Sequence, residues 1–341
     1  MTPLRLPARW PDGAAAALLS NGRLHLQHGP IDLIITAEGT MPARRAAFSA
    51  AFETFASVLE GLVADLPRLR SASPQSWTSG GARGPVSARM IEAVTPLAAR
   101  HFVTPMAAVA GAVADHMAEA IAGAAALDRL IVNDGGDIAL RLSQEHGMRL
   151  ALCTDPEPGA PRAAGSVEIT AASGIRGVAT SGWRGRSHSL GIADAVTVFA
   201  TDAAQADVAA TLIANAVDLP GDPRVTPYVE RRPATALSPD SDLGDRLVTV
   251  KVDRLPAELA ISALTNGRAE AERLATTGLI AGAYLTLGPD TANAGRPPPI
   301  RWTAIGDGRR LAGGRSGAWG ASPMPRERAP VRQAHSPTIA R

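Results

Sequence analysis

The chain is 341 residues long with 45% apolar side chains, enough to bury a core, and with 4% aromatics that core must be built from Ala, Val, Leu and Ile. The formal charge of +2 hides an asymmetry, because residues 296–341 hold nine Arg against Asp307 and Glu327 and leave 25 basic against 30 acidic side chains in residues 1–295. The pI of about 9.2 thus belongs to the end segment, which argues against a nucleic-acid partner, and no run reaches the roughly 18 apolar residues of a membrane span.

Residues 1–13 read as a loose arm whose prolines and Asp12 interrupt the apolar run a signal peptide needs, so a cytoplasmic protein is expected. Residues 22–27 and 31–36, joined through His28, Gly29 and Pro30, read as a hairpin. Residues 43–66 carry Phe48, Phe52, Phe55, Leu59 and Leu62 at spacings of three and four, the core face of one long helix. A Ser/Gly-rich loop over 71–84 and a helix over 88–99 follow. Thr104 and Pro105 are suited to cap and start a helix over 106–126 made almost wholly of small residues, against which a backbone or a flat ligand can lie close.

Strands are expected at 129–132 and 138–142 around Asn133, Asp134, Gly135, Gly136 and Asp137. Two adjacent glycines between strands mark a tight turn with φ > 0, and equally a bare backbone flanked by carboxylates that a ligand can approach. Residues 148–153 and 167–170 complete a mostly antiparallel sheet, and Cys153, the single cysteine, ends an apolar run as a packing residue.

The densest chemical signals lie between residues 175 and 219. An apolar run breaks at Thr180, Ser181 and Gly182 into a loop carrying Arg184, Arg186, Ser187 and His188, then a strand over 193–200. Asp202 is placed to cap a helix over 203–217. In that helix Asp207 and Thr211 lie one turn apart on one face, two hard oxygens suited to Mg²⁺, although an Asp near a helix start also serves the dipole and a helical Thr also bonds back to its own turn. Beyond it, 224–238 is irregular, PDSDLGD (239–245) is a capped turn, 246–252 a strand, 258–276 a helix and 278–287 a strand. From about Asp290 the Pro/Gly/Arg/Ser composition predicts disorder, giving an arm (1–13), one domain (14–288) and a tail (289–341).

The ordered segments VNDGGDIAL (132–140), VATSG (178–182), Ser187-His188 and ADVAAT (206–211) resemble the ApbE superfamily, flavin transferases that move FMN from FAD onto a protein threonine. The runs FVTPMAAVAGAVAD, GRSHSLGIADAVTVFA and TTGLIAGAYL are similar to its branch of uncharacterised ApbE-like proteins. The resemblance implies an α+β, ApbE-like (T-fold-like) fold, a mostly antiparallel sheet with packed helices. It implies Asp207 and Thr211 as side-chain ligands of Mg²⁺ with a backbone carbonyl near Ala107, and FAD or a related nucleotide as ligand. The chain departs from the transferases after His188, where their Pro-Arg-Thr-Gly segment is missing, and at Ala110-Gly111, where their lysine is missing.

These readings combine into a protein that binds a flavin or related nucleotide diphosphate with Mg²⁺ and transfers FMN or cleaves the diphosphate. Gly135, Gly136, Asp137, Thr180, Ser181, Gly182, Arg184 and Arg186 are the expected cofactor contacts. His188 is the candidate acid or base, or else it orders its loop with the help of the flanking serines. A non-catalytic cofactor holder and an enzyme of cofactor biosynthesis on another substrate stay open, as does a homodimer.

Overall fold

A computed structural model describes residues 13–78, 81–155, 162–302 and 310–311. It begins with strands β1 (Ala15–Leu18), β2 (Leu24–His28) and β3 (Ile31–Glu38), then helices α1 (Met41–Phe55), α2 (Val58–Leu69), α3 (Pro74–Thr78) and α4 (Pro85–Val94). A 3₁₀ turn, Pro105–Ala108, leads into α5 (Val109–Ala124). Six strands follow, β4 (Arg129–Asp134), β5 (Asp137–Leu142), β6 (Gly147–Asp155), β7 (Arg162–Thr170), β8 (Gly177–Ser181) and β9 (Ala195–Ala200), and then α6 (Ala203–Ala216). The last elements are β10 (Val229–Pro233), α7 (Ala234–Leu237), β11 (Leu247–Val252), α8 (Ala257–Thr276), β12 (Gly282–Leu287), β13 (Asp290–Gly295), β14 (Ile300–Trp302) and β15 (Arg310–Leu311).

Ten strands form one sheet in the order β1-β2-β3-β4-β5-β8-β9-β12-β13-β15. Its described neighbours pair antiparallel except β13 and β15, which are parallel. The α+β, mostly antiparallel architecture expected from the sequence is what the chain adopts. Alternation sets the faces at the start of the sheet: Ile31, Leu33, Ile35 and Ala37 of β3 point into the core while the residues between them do not. Helices cover that face, with Phe48 and Phe55 of α1, Met117 and Ile121 of α5 and Val208 and Ile213 of α6 in one apolar cluster. On the other face a three-stranded sheet, β6-β7-β14, closes over Ile138, Leu140, Val178 and Phe199 with Met148, Leu152, Val167 and Ile169. Covered on both sides, β9 is buried at every residue.

The small residues of α5 have a packing reason. A Cβ added at Gly111 would collide with the backbone of Ala203 and Ala204, so α5 and α6 touch backbone to backbone. This contact sets the first turn of α5 against the first turn of α6, which fixes the geometry of the site.

Several expectations differ from the structure. The helix expected over 43–66 is two helices bent by 41°, broken at Ala56–Ser57; the apolar spacing continues across the break and hides it. The bend turns the Leu-rich face of α2 toward a cavity. No single described helix is long and apolar enough to cross a membrane. Thr104 makes no side-chain cap and gives its hydroxyl to Asp242 Oδ2 instead. The irregular stretch over 224–238 contains β10, paired with β11. The sheet also continues past the domain boundary expected at residue 288: β13 pairs with β12 along six residues, burying Asp290, Ala292 and Ala294. Residues 1–12, the Cys153 and Trp302 side chains and most of the expected tail lie outside the described residues.

Candidate functional site

The loop between β8 and β9 hangs from two posts. Asp194 is the first: its Oδ1 accepts from Trp183 Nε1 and Arg184 Nε, both at 3.0 Å, and its Oδ2 accepts from the Gly288 amide at 2.6 Å. Gly182 is required beside it, since a Cβ there would collide with the Asp194 carbonyl. Asn215 of α6 is the second post, accepting from the Leu190 amide at 2.8 Å and from Ser189 Oγ at 3.3 Å. Between the posts Arg186, Ser187 and His188 project. Ser189 is thus bound to Asn215, and among the described residues no side-chain hydrogen bond orders His188.

The turn between β4 and β5 is the second component. Gly135 and Gly136 have φ of +63° and +119°, and Asn133 Oδ1 accepts the Gly136 amide at 2.8 Å. The tight-turn reading of the glycine pair holds, and what lies against the bare Gly135 backbone is the guanidinium of Arg186, in the space a Cβ would fill.

Three carboxylates meet this guanidinium or one another. Asp134 Oδ1 accepts the Asp32 amide at 3.4 Å, Asp137 Oδ1 accepts the Thr180 amide at 3.3 Å, and Asp207 Oδ2 accepts the Gly111 amide at 3.0 Å. Burial pushes Asp134 up to about 7, against the opposing pull of the Asp32 amide and Arg186. Burial, then repulsion from Asp134, pushes Asp137 up to about 7. Asp207 is held well above the usual carboxylate range by burial and then by Asp137. Asp137 and Asp207 are half-buried, enclosed by protein except where they line a cavity.

Two adjoining cavities open onto these groups. The larger, about 1250 Å³, is walled by Leu59, Leu62, Val63 and Leu66 of α2, Val109 and Val113 of α5, and Ile138 and Val178 of the sheet, with no aromatic side chain among the described residues that line it. Gly135, Gly136, Thr180, Ser181, Gly182 and Arg184 line its polar end. The smaller, about 360 Å³, is lined by Ala107, His188, Asp207 and Thr211 and by the 238–243 loop with Asp240 and Asp242. Asp137, Arg186 and Arg70 line both. Every site residue expected from the sequence therefore faces one cavity or the other. Their donors are partly spent, however: the Thr180 amide is taken by Asp137, its hydroxyl pairs with Thr197 Oγ1 at 2.9 Å, and Arg184 is tied to Asp194 and lies over the Trp183 ring at 4.9 Å.

A model of the family described as AbpE bacteria matches residues 16–296. The chain belongs to this ApbE-like family. Among curated proteins it is 42% identical over 114 residues to the UPF0280 protein MK0206 of Methanopyrus kandleri, covering 33% of this chain and 43% of that one. It is 45% identical over 121 residues to a UPF0280 protein of Methanoculleus marisnigri, covering 35% and 48%. The chain thus spans less than half the length of these two relatives. Among solved structures, the apo flavinyl transferase ApbE of Pseudomonas stutzeri aligns with TM-score 0.36 at 14% identity over 81% of this chain and 92% of that one. An ApbE protein of Thermotoga maritima aligns with TM-score 0.40 at 11% identity over 85% and 96%.

In this ApbE-like chain the Mg²⁺ expectation can be tested against the donors. Among the described residues no three His, Cys, Asp or Glu side chains form a metal cage. Mg²⁺ takes one or two carboxylates plus water and phosphate oxygens. Thr95, Ser262, Thr265 and Thr276 donate back to their own helices, whereas no such bond engages Thr211 among the described residues, leaving its hydroxyl to the cavity. Asp207 and Asp137 repel each other, and a cation beside them would relieve that repulsion. The residues fit.

Sequence reasoning missed Asp115, Asp194, Asn215 and Arg70. Asp115 carried a signal: it is a charged residue in the small-residue run AGAVADH, where a packed helix must bury it. It is fully buried, with Oδ2 accepting the Ala203 and Ala204 amides at 2.7 and 3.0 Å, and burial pushes it up to about 6.

Proposed function

We propose that the chain binds a flavin or related nucleotide diphosphate together with Mg²⁺, and acts on the diphosphate by FMN transfer or hydrolysis. The observation that supports this reading most is the pair of cavities joined at Asp137 and Arg186, one large and aliphatic, the other small, polar and acidic. A ring system and a diphosphate on one molecule match that division. Leu and Val side chains would hold the ring by dispersion and burial. Family membership and the P. stutzeri protein's description as a flavinyl transferase are compatible with it.

Asp207, Thr211 and the Ala107 carbonyl would hold Mg²⁺, which when bound neutralises charge on the diphosphate. The protein groups have separable tasks. The α2 and α5 side chains exclude water from the ring. Arg186, poised over Gly135 between Asp134 and Asp137, balances part of the acidic charge and can present N–H donors to phosphate oxygens. His188 faces the smaller cavity with no hydrogen-bond partner among the described residues, a position from which it can take or give a proton at the attacking or leaving oxygen. Asp137 reaches both cavities and, with its raised pKa, can be protonated near neutrality and donate to a bridging oxygen.

Incubating the protein with FAD and Mg²⁺ and separating the products tests this reading. FMN with AMP supports cleavage, and FMN fixed to a protein acceptor supports transfer. Tight FAD binding without turnover supports a cofactor holder. Absence of both binding and turnover rules the flavin reading out.

A further inference from the structure

Among the described residues three arginines line the paired cavities, and they are engaged differently. Arg184 is anchored on Asp194 and stacked on Trp183. Arg186 is held against Gly135 among the carboxylates. Arg70, the C-cap residue of α2, lines both cavities at their junction, and its Nη2 meets Asp240 Oδ2 of the 238–243 loop at 2.6 Å. Its backbone is fixed, since neighbouring Leu69 is fully buried and the Arg70 amide bonds back to Leu66. Its side chain is 35% exposed, and that of Asp240 is 72% exposed. Ion pairs this exposed are weak and salt-screened, so the guanidinium can change partner at little cost.

The smaller cavity is lined by Asp137, Asp207, Asp240 and Asp242 against Arg70 and Arg186. A diphosphate entering there meets excess negative charge, and the cation most easily turned toward it is the one whose partner sits at the exposed rim. Guanidinium groups bind phosphate with two parallel N–H donors, a stronger pairing than an exposed single contact to a carboxylate. We propose that Arg70 is the diphosphate-recognising residue at the junction of the two cavities, held by Asp240 in the ligand-free chain and exchanged onto the ligand when it binds. Arg70 takes this role on the reading of the cavities as a site for a phosphate-bearing ligand. Asp240 then acts as a built-in competitor for the same guanidinium. The loop itself stays tethered through Asp242 to Thr104 when the exchange occurs.

Fluorescence titration with FAD and with riboflavin, both in Mg²⁺, tests the assignment on the full chain. Arg70→Gln should weaken FAD about tenfold or more and leave riboflavin unchanged, with Arg70→Lys recovering part of the loss. Asp240→Asn should tighten FAD a few-fold, roughly the strength of an exposed pair, and this gain should vanish when Arg70→Gln is added. Equal FAD affinity in Arg70→Gln and wild type overturns the assignment, and so does an equal loss for riboflavin. Thermal melting with inorganic pyrophosphate and Mg²⁺ separates this assignment from the flavin reading. Stabilisation of the wild type but not of Arg70→Gln keeps Arg70 as a diphosphate contact even if FAD fails to bind, in which case only the flavin reading falls. Equal stabilisation of both proteins, or of neither, overturns the role of Arg70.

Discussion

Asp115 and Asp207 exchange helix caps. Asp115 of α5 accepts the first amides of α6 at Ala203 and Ala204, and Asp207 of α6 accepts the Gly111 amide in the first turn of α5. Each helix thus satisfies the otherwise orphaned N–H groups of the other, at a crossing so tight that Gly111 has no room for a side chain. Asp115→Ala leaves buried amides without acceptors and should destabilise the fold by about 2 kcal/mol or more, read as a lower urea midpoint at unchanged slope. An unchanged midpoint would show that water takes over as the acceptor of the two amides.

The same exchange lets charge and capping be separated at Asp207. Asp207→Asn keeps an oxygen for the Gly111 amide and removes the negative charge, so the fold should persist while Mg²⁺ affinity, measured calorimetrically with nucleotide present, is lost. Undiminished Mg²⁺ binding in this variant would remove Asp207 from the metal site.

The raised carboxylates give a pH dependence with a definite sign. Asp134 and Asp137, each pushed up to about 7, bind protons more tightly folded than unfolded, so stability falls as pH rises through 7 and is regained as pH falls. The thermal midpoint in EDTA should therefore rise between about pH 8 and about pH 6.5. Below that window His101 and His116, whose pKa burial lowers, act in the opposite direction. Mg²⁺ competes with these protons, so it should raise the midpoint more at the alkaline end. A midpoint flat across the window, with or without Mg²⁺, contradicts the buried acidic cluster.

Asp194 and Asn215 hold the His188 loop independently of the imidazole, so the proposed proton-transfer role can be separated from loop order. His188→Ala should lower turnover roughly 10²- to 10⁴-fold, the range of general acid-base catalysis, with ligand affinity nearly unchanged. Asn215→Ala should show the reverse, weaker binding with much of the saturated rate kept. If His188→Ala retains more than half the wild-type turnover, the proton-transfer role ends.

Ending the chain at Gly288 removes β13, which pairs with β12 along six residues and buries Ala292 and Ala294. The truncated protein should melt well below the full chain, and an equal midpoint would show that β12 tolerates a bare edge.

How much of this was legible depended on side-chain size and sequence distance. Alternating Leu and Ile announced β2 and β3, and the DGGD turn and the α6 face carrying Asp207 and Thr211 were readable because each is local. By contrast β13 turns only Asp290, Ala292 and Ala294 inward, and β1 is AAAL, so neither shows the bulky alternation that marks a strand. The bend after Phe55 lies inside an unbroken apolar spacing. Arg70 meets Asp240 across 170 residues, and the Asp115–Ala203 contact spans 88. Nothing local encodes such partners.

The hydrogen on Gly135 has an electrostatic consequence. A methyl group there would occupy the position of Arg186 Nη2 and evict the guanidinium, leaving Asp134 and Asp137 facing each other without their counter-charge. The pocket's balance of acid and base is therefore set by steric vacancy in a turn, and a neutral substitution would act there as a charge mutation: Gly135→Ala would turn a site poised between proton and cation into one that holds on to either.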